Sequence, residues 1–279
     1  MPLNLPTFYK RTGSAIVFAI IMLGGLLWND WAFLGLVCII CSLCLWEYCK
    51  LMQRIDKEAY WPKWLPIVLI VAGLIILIPA FFLNHLFDSS YPDWPVRLWG
   101  VLPVLPAILL LAGALAKRTY LVAVIQSFGG ILYIALSLLL LLNMRMQDMI
   151  LPIALILMIW TNDTMAYLVG SFIGKTPFST ISPKKTWEGT IGGALLTIIG
   201  AVVYGYFSHR YTLIDWVVLA LCATIAGTMG DLLESKLKRM ADVKDSGAIM
   251  PGHGGALDRF DSLLVAAPFA YVYANYFMK

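Results

Sequence analysis

Apolar residues in this chain come in long unbroken blocks, and charged residues are confined to the gaps between them. No charged side chain interrupts Thr12 to Asn29, Trp31 to Trp46, Trp64 to Phe87, Leu98 to Ala116 or Thr119 to Met144. Further blocks cover Met149 to Phe172, Gly189 to Ser208, Asp215 to Leu233 and Ser262 to Met278, with an occasional acid inside or at an edge. A helix of about 20 residues spans the ~30 Å hydrocarbon core of a bilayer. The pattern therefore predicts an all-α polytopic integral membrane protein with about nine transmembrane helices.

Composition agrees with that solvent: 61% of the 279 residues are hydrophobic, 13% are charged and the mean hydropathy is +0.82. Cytoplasmic loops retain Lys and Arg, so their placement gives the orientation. With nine crossings and the N-terminus cytoplasmic, Arg97, Arg145, Arg210 and Lys279 fall on the far side and the other sixteen of the 20 basic residues fall inside. The C-terminus is then expected on the opposite side. The net charge of +4 reflects this sidedness and does not point to nucleic acid. Lys10 and Arg11 before an apolar run resemble a secretion signal, but no small-residue cleavage site follows, and a retained first helix is expected. Cys38, Cys41 and Cys44 have a metal-like spacing inside an apolar helix with no His or carboxylate beside them, and read as small buried hydrophobes.

Two regions differ in chemistry. Residues 1–145, the N-terminal transmembrane helices with about five spans, keep their charges in loops; Glu47, Asp56 and Glu58 are expected solvated there, as are Asp30, Asp88, Asp93, Asp148 and Asp215 in outer loops. Residues 146–279, a C-terminal region with about four spans and cytoplasmic loops 172–189 and 232–261, bring acids against the spans. The stretch DLLESKLKRMADVKDSGAIMPGHGGALDRFD, Asp231 to Asp261, is the densest. If the eighth helix continues outward, Asp231, Glu234, Ser235 and Lys238 share one face; Asp258 and Asp261 share another at the start of the ninth. Carboxylates held close repel one another, and a divalent cation relieves that. Mg²⁺ suits it, with Asp231 and Asp258 as its protein ligands, and a second cation is left open. Pro251 to Gly255 offers backbone N–H groups, Gly254 and Gly255 among them, for a phosphate just before a helix. Lys238, Arg239, Lys244 and Arg259 are expected to hold other phosphates.

The residues Ser-Lys-Leu-Lys-Arg from Ser235, Lys-Asp-Ser-Gly from Lys244 and Pro-Gly-His-Gly-Gly-Ala-Leu-Asp-Arg-Phe-Asp from Pro251 together resemble the signature of phosphatidate cytidylyltransferases, also called CDP-diacylglycerol synthases. Trp160 to Tyr167 and Ile181 to Gly189 resemble the same family, although Met165 stands where that family usually has a glycine. The resemblance covers the last 120 or so residues. It implies a CTP-dependent enzyme that makes CDP-diacylglycerol from phosphatidic acid, with Asp231, Asp258, Asp261, Lys238, Arg259 and His253 as catalytic candidates. His253 has two readings, proton donor or shaper of the loop. Asp163, Ser182, Lys184, Lys185, Glu188, Ser235, Arg239, Lys244, Asp245, Gly254 and Gly255 are the substrate-binding candidates. Asp163 stands out independently, because an ionisable residue inside a span is costly. The implied setting is the bacterial inner membrane, with the site facing the cytoplasm; a homodimer stays open. The rival readings are another membrane lipid kinase or phosphotransferase, and a transporter with an acidic cytoplasmic gate.

Overall fold

A computed structural model describes residues 5–86, 118–249 and 254–278. The expected span from Leu98 to Ala116, and His253, lie outside them. The described residues are helical apart from their connections, which include an isolated antiparallel bridge between Pro177 and Thr186. The helices are α1 (Leu5–Trp28), α2 (Asp30–Ile55), α3 (Leu65–Leu86), α4 (Arg118–Gly130), α5 (Ser137–Gln147), α6 (Ile150–Ile173), α7 (Trp187–Ser208), α8 (Leu213–Leu221), α9 (Gly227–Met240) and α10 (Leu257–Tyr276). Turns of π-helix at Ile131–Leu136 and Cys222–Ala226 join α4 to α5 and α8 to α9 without breaking either rod. Among the described residues six helices are long and apolar enough to cross a membrane. They run Asp30–Ile55, Leu65–Phe82, Val122–Gln147, Ile150–Ile173, Trp187–Ser208 and Leu213–Met240. Ile16–Trp28 is a shorter apolar helix.

Helix α7 shows why these sequences build a membrane protein. Gly189, Gly193, Thr197, Ala201 and Gly205 recur every four residues and are buried, whereas Ile191, Leu195, Ile199, Val203 and Phe207 recur on another face and are exposed. Lipid is as apolar as leucine, so burying large side chains gains little; close approach of small residues gains dispersion contacts instead. A Cβ on Gly189 would lie 2.6 Å from the Ala166 carbonyl oxygen of α6, and one on Gly193 only 2.7 Å from the Ala166 nitrogen. The Gly189-x-x-x-Gly193 spacing thus marks a helix contact. In the N-terminal helices the cysteines play the same part: Cys41, Cys44 and Cys49 are buried in α2, and a Cβ on Gly73 of α3 would lie 3.0 Å from the Cys41 sulfur.

The chain forms two compact units, one of residues 1–142 with 240–257 and one of residues 143–239 with 258–279. The long loop after α9 therefore belongs with the N-terminal helices. Its anchor corrects an expectation, because Glu47 is not solvated. It lies within α2, only 2% exposed, and accepts hydrogen bonds from Ser246 Oγ (2.8 Å) and from the backbone N–H groups of Ala256 (3.0 Å) and Leu257 (2.9 Å). Asp215 is a second correction: it is buried in the first turn of α8, closes a capping box with Thr212 and accepts from Tyr273 Oη at 2.8 Å. Asp148 is also engaged, by Tyr211 Oη at 2.9 Å and by Arg210. Each acid satisfies donors that hydrocarbon could not.

Candidate active site

The second unit carries a cavity of about 500 Å³ bounded by α6, the α6–α7 loop, the start of α7, and α9. Helix α6 contributes Asn162, Asp163, Ala166, Tyr167, Gly170 and Ser171; the loop and α7 contribute Ser182, Lys184, Lys185, Thr186 and Thr190; α9 contributes Thr228 and Asp231. Its volume lies in the range of small-molecule sites. Asp163 sits ten residues before the end of α6, about 15 Å along the axis. Positions 162, 163, 166, 167, 170 and 171 recur every three to four residues and so form one polar stripe on an otherwise apolar helix.

The loop is held in shape by backbone pairing. Phe178 N donates to Lys185 O at 2.7 Å and Trp187 N to Thr176 O at 3.0 Å, while the Phe178 and Trp187 rings meet edge to face at 4.6 Å. Thr186 caps α7 through a hydrogen bond from Gly189 N. Glu188, a substrate-binding candidate, accepts from the backbone N–H groups of Lys175 and Thr176 and from Thr176 Oγ1 at 2.8 Å, which fixes the start of the loop. The result presents Ser182, Lys184 and Lys185 to the cavity. Lys184 is exposed, whereas Lys185 is paired with Asp231.

The α9 spacing holds as the sequence predicted. Ser235 Oγ donates to Asp231 Oδ1 at 3.2 Å, and Lys238 pairs with Glu234 one turn before it. Lys238 also reaches across to Asp258 Oδ1 of α10 at 2.6 Å. These helices approach closely because position 230 is glycine: a Cβ there would overlap the Asp261 carbonyl and lie 3.0 Å from Ser262 Cα. Asp261 is buried and accepts from Ser262 N at 2.6 Å. The electrostatic neighbours of Asp163 include Lys185, Asp231 and Arg259, and those of Asp261 include Asp231, Asp163 and Lys238. Asp163, Asp231, Glu234, Asp258 and Asp261 thus form one field with the cations Lys185, Lys238 and Arg259. Carboxyls outnumber cations, which favours a positively charged guest.

Among the described residues no three His, Cys, Asp or Glu side chains come together as a ligand group. Asp231 and Asp258 are each engaged by a lysine rather than paired with one another. Mg²⁺ needs only one or two protein carboxylates, with water and phosphate oxygens completing its shell. Asp231, 29% exposed on the cavity wall, fits an ion that arrives with a triphosphate.

Other expected residues fall elsewhere. Arg239 is exposed in the last turn of α9, and Lys244 and Asp245 are exposed in the loop of the other unit. Gly254 has φ 83°, a conformation that favours glycine, and Gly255 is buried. The N–H groups of Ala256 and Leu257, which follow the glycines expected to cradle a phosphate, are taken by the Glu47 carboxylate. Sequence reasoning passed over Asn162 as a site residue. Asn162 is 4% exposed, lines the cavity and has an Oδ1 atom with no hydrogen-bond partner among the described residues. A buried acceptor left open toward a cavity is a place for a ligand donor. Its position beside Asp163 was the only sign of it in the sequence. Glu234, fully buried, balances Lys238.

Apolar helices surrounding an acid- and lysine-lined cavity define an integral membrane protein with a polar, charged site. The chain belongs to the cytidylyltransferase family, whose model matches residues 9–277. It is 46% identical over 118 residues to the phosphatidate cytidylyltransferase of Synechocystis sp., a match covering 41% of this chain and 40% of that protein. The phosphatidate cytidylyltransferase of Bacillus subtilis is 45% identical over 115 residues (40% and 43% of the two chains), and that of Haemophilus influenzae 39% identical over 124 residues (42% and 43%). The chain thus spans about two fifths of the length of the curated relatives it matches.

Proposed function

We propose that this protein is a phosphatidate cytidylyltransferase that joins CTP to phosphatidic acid, giving CDP-diacylglycerol and pyrophosphate for phospholipid synthesis. The observation that carries the reading is the cavity itself. Lysines of the α6–α7 loop face the acids of α6 and α9 across it, in a chain whose relatives bear that name. A lipid phosphate and a nucleotide triphosphate both need cations, and a membrane helix bundle gives the lipid access.

The phosphate of phosphatidic acid attacks the α-phosphorus of CTP, and the bond to the β-phosphate oxygen breaks, releasing pyrophosphate. A phosphomonoester has its second pKa near about 6, so the nucleophile is already ionised and no strong base is required. Positioning and charge neutralisation then do most of the catalysis. Lys185 exchanges Asp231 for a substrate phosphate; Lys184 and Arg259 supply further positive charge; Ser182 donates a hydrogen bond. Lys238 holds the Asp258 and Glu234 side chains in place. Asp231, with Asp258, would hold Mg²⁺, which would supply charge neutralisation for the triphosphate. Asn162 accepts a donor from the bound substrate.

The reading extends to topology: nine crossings, N-terminus cytoplasmic, C-terminus outside, and the site open to the cytoplasmic face of a bacterial inner membrane. The segregation of Lys and Arg supports it. The deciding experiment is purified protein in detergent with radiolabelled CTP, phosphatidic acid and Mg²⁺. Labelled CDP-lipid and stoichiometric pyrophosphate are expected. Nucleoside diphosphate as product would indicate a kinase, and absence of any lipid product would reject the proposal.

A further inference from the structure

We infer that Glu47 is a positioning residue for the reaction: a carboxylate buried in the N-terminal helices that clamps both ends of the 246–257 loop and so fixes the peptide leading into Asp258. It deepens the cytidylyl-transfer reading and rests on that reading for its effect on rate.

The geometry is specific. The two carboxylate oxygens take Ser246 Oγ at the near end of the loop and the N–H groups of Ala256 and Leu257 at the far end. Those last two groups are unmatched donors at the start of α10, which no intrahelical carbonyl can satisfy and which favour a negative charge. The contact also explains two glycines. A Cβ on Gly247 would overlap Glu47 Oε1 and lie 2.7 Å from its Cδ; one on Gly255 would overlap Oε2 and come within 2.5 Å of Cδ. Only a loop with glycine at both places closes over the carboxylate. Because Leu257 is bonded to Asp258, fixing its N–H fixes the origin of the turn that carries Asp258 and Asp261. Displacements of about 1 Å at a reacting centre can cost about 100-fold in rate.

The test uses the full chain in detergent, with Glu47→Gln and Ser246→Ala beside wild type. Glutamine keeps the volume but turns an N–H₂ toward donors; alanine at 246 removes one of the three bonds. Trypsin cleavage after Lys244, exposed in the loop, is measured as a ratio to cleavage after Lys57, exposed in a different loop, so that global unfolding cancels. Glu47→Gln is expected to raise that ratio at least about fivefold and to lower kcat at least about tenfold at an unchanged thermal midpoint, with Ser246→Ala between it and wild type. An unchanged ratio overturns the inference, and so does a raised ratio with wild-type kcat. If Glu47→Gln does not fold, Ser246→Ala decides by the same two measures. If wild type turns over no CTP, the functional reading fails, while the cleavage ratio still tests the clamp.

Discussion

Ionisable groups in the C-terminal unit are arranged so that few stand alone, and this shapes what single substitutions do. Lys238 is the clearest case, since it holds the fully buried Glu234 and the nearly buried Asp258. Removing one partner of a buried pair leaves an uncompensated charge, at a cost of about 3 kcal/mol. Lys238→Met is therefore expected to lower the thermal midpoint in detergent, and Glu234→Gln added to it to recover part of the loss. Lys184 and Lys185 separate by the same logic: Lys185 already lies against Asp231, whereas Lys184 is exposed. Lys185→Ala is expected to lower CTP turnover about 100-fold and Lys184→Ala about tenfold or less, measured as kcat/KM for each substrate. Asp163, Asp231 and Asp258 were legible as candidates because acids are conspicuous in or beside apolar spans. Glu47 was not: seven residues ahead of Arg54 and near Lys50, it looked like part of a charged loop, and its partners lie about 200 positions away.

At the scale of elements, glycine positions decide where helices meet. Gly193 and Gly227 are both helical glycines with different surroundings. A Cβ on Gly193 meets the backbone of Ala166 at 2.7 Å, whereas one on Gly227 finds nothing closer than Ser262 Cβ at 3.6 Å. Gly193→Leu is expected to separate α6 from α7 and abolish the monodisperse, active protein, and Gly227→Ala to be neutral or slightly stabilising because alanine loses less backbone entropy in a helix. Size-exclusion profiles and thermal midpoints of the two variants check this. The spans were readable from block length, and the α9 face from its i, i+3, i+4, i+7 spacing. The π-helical turns at Ile131–Leu136 and Cys222–Ala226 were not, since one added residue per turn leaves no mark in composition.

For the whole molecule, solvent sets the rules: small residues let helices such as α7 approach closely, Trp216, Phe33 and Phe81 fill the interior, and polar groups gather where protein or phosphate can satisfy them. Around the cavity Asp163 and Asp231 stand against Lys184 and Lys185, and the proposed guest brings Mg²⁺. Chelation by EDTA is expected to abolish CDP-lipid formation, and added Mg²⁺ to restore it, in an assay that follows pyrophosphate release. Loss of turnover without recovery would argue against a simple divalent requirement. The division into two units assigns the loop of residues 240–257 to the N-terminal helices. Sequence proximity alone placed that loop with its flanking acids in the C-terminal region.

The amino-acid sequence by itself determined the solvent, the helical class, the cytidylyltransferase signature and the stretches that carry chemistry, because hydrophobic block length and local spacing are properties of neighbours along the chain. Tertiary structure decided which acid meets which cation. It gave Asp231 to Lys185 and Asp258 to Lys238, turned Glu188 to holding its loop and exposed the open acceptor of Asn162 to the cavity. It also brought Glu47 of α2 to Ser246 and to the N–H groups that open α10. Hydrogen bonds and ion pairs act over about 3 Å of space, so a partner hundreds of residues away weighs as much as a neighbour, and only the packed helices say which one is near.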